Sequence, residues 1–182
     1  ADWEEPRPLA DEVAYWDPIL QKAAEPGWIA MGEEVRDLLV ASLPADAPVG
    51  LFHGDFQTSN LLFDDGVLEA VLDWEISGIG GQRLDIGWLL MMNDPLSWYD
   101  AGSFVGGPDL GALEARYEAG MGTTVGDIGW YRALSGYRFG VISGLNVMLH
   151  RTGKRHDPEW DRIALSVPFL FGRARDLLKG AQ

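Results

Sequence analysis

Apolar residues at Leu9, Val13, Trp16 and Leu20 fall at the spacing that puts them on one helix face, predicting a helix over 9–24 that Pro26-Gly27 ends. Glu33 to Leu43 predicts a second helix, closed by Pro44, and Asp46-Ala47-Pro48 a loop. The period then shortens. Val49-Gly50-Leu51-Phe52 reads as a short buried strand, and Leu61-Leu62-Phe63 and Val67 to Leu72 are two apolar runs joined by Asp64-Asp65-Gly66, a hairpin signal. The glycine-rich stretch Ser77 to Gln82 predicts an irregular loop. Leu84 to Met92 restarts as a helix with Asp85 in its first turn, where negative charge suits the dipole. Asn93 to Pro108 reads as a loop. Leu110 to Ala119, Ile128 to Leu149 and Trp160 to Leu178 predict three more helices. Asp109 and Asp127 are the expected N-caps of the first two, and Asp157-Pro158 opens the third. Gly136, Gly140 and Gly144 leave one face of the middle helix nearly bare, which predicts another helix packed closely against it. The expected fold is mainly α with a small β-hairpin, in one domain over 1–182.

The hairpin has a chemical consequence. It folds the chain back so that Asn60 before it and Asp73 after it end side by side. Asp55 lies five residues before Asn60, and Asp73 thirteen beyond it. An Asp, an Asn and a second Asp so arranged suit phosphoryl transfer, which asks for positioning and charge neutralisation rather than covalent chemistry. Asp55 can orient or deprotonate an acceptor hydroxyl. Asn60 offers a neutral oxygen and Asp73 an anionic one to Mg²⁺, which keeps several waters and needs few protein ligands.

Composition narrows the alternatives. With 47% hydrophobic and 23% charged residues the chain can bury a core. It contains no cysteine, which excludes disulfides, thiolate metal sites and cysteine nucleophiles. No run of about 18 apolar residues predicts a membrane span, and Ala1 to Pro6 has neither the basic start nor the apolar core of a signal peptide. A cytoplasmic location is expected. The net charge is −14, and residues 1–100 hold 20 acidic against 4 basic side chains. No basic stripe exists for nucleic acid. The acidity suits cationic partners, or serves only solubility.

Leu51-Phe52-His53-Gly54-Asp55, Asn60-Leu61-Leu62-Phe63, Ala70-Val71-Leu72-Asp73-Trp74-Glu75 and Asp85-Ile86-Gly87-Trp88-Leu89 together resemble the aminoglycoside phosphotransferase and choline kinase-like family, whose fold is similar to that of protein kinases. The resemblance covers residues 49–89. It implies that Asp55 is the catalytic Asp, that Asn60 and Asp73 bind Mg²⁺, that His53 supports the catalytic loop from within, and that Asp85 braces it through its backbone. Glu75 is implied as a metal-side or substrate contact, with a solvated loop carboxylate the equal alternative. ATP, Mg²⁺ and a small-molecule hydroxyl substrate such as an aminoglycoside-like cationic compound are the implied ligands.

The Gly-rich loop and strand lysine that grip ATP in kinases do not precede this motif. Lys22, before the motif, reads as helical. The chain is therefore expected to be the C-terminal lobe of a protein-kinase-like (α+β) fold without its N-terminal lobe. That lobe would be a partner in the same or a separate chain. The fragment alone is expected to be inactive, and to associate through the surface the lobe would cover. A non-catalytic ligand-binding or interaction module is the alternative. A metal-dependent hydrolase built on His53 and Asp55 ranks lower, because His150 and His156 have no visible ligand partner. Trp74, Glu75, Asp94, Trp98 and Tyr99 are candidates to line a substrate cleft, with core packing favoured for the aromatics.

Overall fold

The structure is a computed structural model that describes residues 4–101 and 107–180. Its elements in chain order are α1 (Leu9–Tyr15), α2 (Asp17–Leu20), α3 (Pro26–Ala41), β1 (Val49–Phe52), β2 (Leu61–Asp64), β3 (Val67–Val71), β4 (Gly78–Gly81), α4 (Leu84–Met92), α5 (Leu110–Met121), α6 (Ile128–Arg151), α7 (Glu159–Ala164) and α8 (Val167–Leu178). The expectation of a mainly α chain with a small β-hairpin holds, and a second small antiparallel sheet adds to it.

Several boundaries differ, for local reasons. The helix expected over 9–24 breaks at Trp16, and Pro18, which has no N–H to continue the ladder, sits in the first turn of α2. Pro26 does not close a helix but opens α3 at its first position, where its missing N–H costs nothing. Ser166-Val167-Pro168 likewise splits the last predicted helix into α7 and α8. Asp109 caps α5, accepting from the Ala112 N–H at 2.7 Å, whereas Asp127 occupies the cap position of α6 without a side-chain bond. The predicted loop over 93–108 includes residues 102–106, which lie outside the described residues.

The larger correction is β4. The stretch read as an irregular loop pairs antiparallel with β1, Val49 opposite Gly81 and Phe52 opposite Gly78. The glycines make that possible: a Cβ on Gly78 would stand 2.9 Å from the Phe52 ring, and one on Gly80 3.1 Å from it. β2 and β3 form a separate two-stranded sheet, Leu61 opposite Val71, with an irregularity between Leu62 and Phe63. Asp65 and Gly66 carry the turn with φ of 44° and 79°, the left-handed pair that a tight two-residue hairpin demands.

α6 is the centre of the core. Tyr131, Leu134, Tyr137 and Val141 are fully buried and pack with Val13, Leu20, Val35 and Leu39 from α1 to α3 and with Phe171 and Ala174 of α8. Its glycine face is covered as expected. Gly136 abuts the Leu170 carbonyl, Gly140 the Phe171 ring, and Gly144 Ala23 and Trp28. Two backbones therefore approach closely, and the core there is built by fit rather than by large side chains. No helix among the described residues is long and apolar enough to cross a membrane.

Candidate active site

β1 delivers the site. Phe52 is buried over the β4 glycines, and the chain leaves the strand at His53. The N–H groups of His53 and Gly54 donate to Asp85 Oδ2 and Oδ1, each at 2.8 Å. One carboxylate thus holds two consecutive peptides, and it stands in the first turn of α4, where the helix dipole favours its charge. Gly54 has φ of 91°, and a Cβ there would strike the Ile76 carbonyl oxygen, so only glycine lets the loop turn here.

His53 ties two segments together. Its Nδ1 accepts the Asp55 N–H at 3.2 Å, which assigns the proton of a neutral ring to Nε2; Nε2 then donates to the Leu72 carbonyl at 2.7 Å. The ring is buried and meets the Trp74 indole edge-on, centroids 4.7 Å apart. Leu72 is held a second time, its N–H donating to the Asn60 carbonyl at 2.8 Å.

Asp55 is held from both sides. Gln57 Nε2 donates to Oδ1 at 2.7 Å and Asn60 Nδ2 to Oδ2 at 2.9 Å; the same Nδ2 reaches the Asp55 carbonyl at 3.0 Å. With its amide nitrogen so engaged, Asn60 keeps Oδ1 as a free oxygen ligand. Asp73 follows directly on the pinned Leu72, is exposed, and has φ of 64°, a conformation uncommon outside glycine and best tolerated by Asp and Asn. Strain of this kind concentrates at functional sites. An amide oxygen and a carboxylate at the two ends of the hairpin, neither bonded to a cation, match the oxygen donor set of Mg²⁺. Among the described residues no group of three or more His, Cys, Asp or Glu could hold a metal. A softer, all-protein metal cage therefore has no candidate there, whereas Mg²⁺ with two protein ligands does.

The remaining sequence candidates separate. Asp85 and His53 join the loop as described. Glu75 is exposed, and no hydrogen bond or ion pair holds it. Asp94 is buried between Arg132 and Arg173, its Oδ2 at 2.6 and 2.7 Å from their nitrogens, and its Oδ1 caps the turn at Leu96, so it serves structure rather than a cleft. Trp98 and Tyr99 border a cavity of about 730 Å³ together with Met92, Ile163, Leu165 and Ser166. It lies at the end of α4 opposite Asp85. His150 accepts the Asp157 N–H on Nδ1 and faces Asp161 with Nε2 at 3.2 Å, a surface contact.

Two residues escaped the sequence reading. Gln57 is one; its only signal was its place two residues after Asp55. Arg138 is the other. It is fully buried beneath the loop, with its guanidinium over the rings of Trp16, Trp88 and Phe52 at 5.1, 5.3 and 6.0 Å, and its Nε 3.4 Å from Glu12. Burial pushes its pKa down from the ordinary value, and the Glu12 carboxylate pulls it back up. Glu12 also accepts from Arg7 at 2.7 Å and from Trp16 Nε1 at 3.0 Å.

The profile of the phosphotransferase enzyme family matches residues 2–134. The chain belongs to this family. As expected of a member, it has kinase-like structural relatives. A Ralstonia eutropha protein provisionally named an aminoglycoside phosphotransferase superposes with a TM-score of 0.80 at 22% identity, over 100% of this chain and 59% of that one. A choline/ethanolamine kinase family protein from Mesorhizobium loti gives a TM-score of 0.56 at 17% identity, over 97% of this chain and 60% of that one. At these identities the likeness is one of fold. Among curated proteins, 65 residues are 38% identical to the Probable acyl-CoA dehydrogenase IBR3 of Arabidopsis thaliana, and 69 residues are 38% identical to Acyl-CoA dehydrogenase family member 10 of Mus musculus. These matches span 32% and 37% of this chain but 8% and 6% of those much longer proteins.

Proposed function

We propose that this chain is the C-terminal, catalytic lobe of an ATP-dependent phosphotransferase that moves the γ-phosphate of ATP to a hydroxyl of a small, cationic acceptor. The observation that carries the reading is the constellation around Asp55: a carboxylate held on both oxygens, beside an amide oxygen free for a metal, with a strained carboxylate returned by the hairpin. Asp55 orients the acceptor hydroxyl and takes its proton as the phosphoryl group leaves ATP. Asn60 and Asp73 hold Mg²⁺, which neutralises phosphate charge when bound. His53 and Asp85 keep the loop in place.

Three observations support the lobe and the acceptor class. Val49 and Leu51 of β1 and Leu62, Phe63, Val67 and Leu68 of the β2–β3 hairpin are exposed apolar side chains, as expected where a second lobe would dock. The chain spans about three fifths of each solved relative. The hairpin carries Asp64, Asp65 and Glu69 and leads to Asp73 and Glu75, with no lysine or arginine between 37 and 82, a field that favours a cationic acceptor.

The test is ADP release by the full-length gene product with Mg·ATP and a panel of hydroxyl compounds bearing ammonium groups. Asp55→Ala is expected to lower kcat by about 10³-fold or more, and Asp73→Ala to abolish productive Mg·ATP binding. Near wild-type turnover in both variants would remove the assignment.

A further inference from the structure

The side-chain amide of Gln57 is spent on the Asp55 carboxylate. Gln57 is half-buried at the rim of the loop, packs into no core cluster, and makes one side-chain hydrogen bond, to Asp55 Oδ1 at 2.7 Å. That distance lies at the short end of the range for an N–H donor. Asp55 therefore has a donor on each oxygen, but the two donors differ. Asn60 has a second task, through its Oδ1. Gln57 has none besides Asp55.

A carboxylate on a single bond rotates about χ2 through a broad, shallow well. The two oxygens turn together, so one donor on Oδ2 sets the plane loosely; a second donor on Oδ1 narrows that well, and each oxygen keeps one more lone pair for an acceptor hydroxyl. Phosphoryl transfer depends on the attacking oxygen lying in line, so the plane of Asp55 sets the approach of the acceptor.

We propose that Gln57 is a positioning residue for phosphoryl transfer: its side-chain amide locks the plane of the Asp55 carboxylate and so aims the acceptor, without touching nucleotide or metal. This rests on the catalytic reading of Asp55, and two measurements keep the two ideas apart.

The first needs no activity. In ¹⁵N-labelled 182-residue chain, the Gln57 side-chain NH₂ should show a hydrogen-bonded shift and slowed exchange, both lost in Asp55→Ala. A Gln57 amide with free-amide shift and exchange in the wild type would overturn the proposal, whatever the enzyme does. The second is kinetic, on the full-length gene product with Mg·ATP, ADP release being followed with water or an added alcohol as acceptor. Gln57→Leu should lower kcat by roughly 10- to 100-fold with KM for Mg·ATP unchanged and the melting temperature intact. Gln57→Lys, which restores a donor, should recover part of the loss. In an Asp55→Ala background, Gln57→Leu should have no further effect. An unchanged or raised kcat in Gln57→Leu, a loss confined to KM for Mg·ATP, or losses that multiply with Asp55→Ala would each overturn it. Wild-type ADP release by Asp55→Ala alone would instead remove the phosphotransferase reading, and the amide resonance would still decide whether Gln57 holds Asp55.

Discussion

The body around α6 and the loop around Asp55 are organised by different physics. In the body, position follows from packing: Tyr131, Leu134, Tyr137 and Val141 are fully enclosed, and glycines admit α8 and the start of α3 against bare backbone. Around Asp55, position follows from a few identifiable hydrogen bonds between buried and half-buried groups. A packed body tolerates the loss of one contact poorly but shares strain widely. A bonded loop loses its geometry one donor at a time. The candidate site is thus mounted on the less redundant part, with Asp85 and Arg138 joining it to the more redundant one.

The comparison can be broken first at Arg138. Arg138→Met leaves Glu12 buried with one counter-charge fewer, and it should cost about 3–5 kcal/mol in urea or thermal unfolding; Glu12→Gln added to it should return part of that. A loss well under this range would mean the body does not depend on the ion pair beneath the loop. Asp85→Ala comes next. It leaves the His53 and Gly54 N–H groups without acceptors, at about 1–3 kcal/mol, and should lower turnover of the full-length enzyme far more than it lowers stability. Equal losses in both would erase the distinction between loop and body. The smallest effect is expected on the hairpin. Leu62→Ser with Phe63→Ser should change the stability of this chain by no more than about 0.5 kcal/mol each, while reducing binding of an apolar-surface dye and any concentration-dependent association. A large loss of stability would show that this face is packed in the chain itself and is not a docking surface.

How much of this was legible beforehand divides along the same line. The hairpin was legible because Asp65-Gly66 is chemically suited to its turn, and the Asp55, Asn60 and Asp73 spacing because hairpin geometry follows from turn length. β4 was not. Its glycines suggest a loop until the Phe52 ring is known to need the space, and that is tertiary information. The helix breaks near Pro18 and Pro168 were hidden because apolar periodicity runs through both, and Pro at an N-terminal helix position resembles Pro inside a helix. Asp94 looked like a cleft residue because nothing local announces Arg132 and Arg173 as partners far along the chain. Gln57 and Arg138 were invisible for the same reason: an amide in a loop and an arginine in a helix carry no sign of what they face.

The backbone at Asp73 bears on how substitutions there should be interpreted. With φ of 64° the residue stands where side chains branched at Cβ are driven out of the fold and where Asn and Gly are at ease. A scan of all substitutions at this position would superimpose two filters, one for conformation and one for charge. Asn passes the first and fails the second, so it alone reports what the negative charge contributes; Val or Ile would report mostly a displaced hairpin.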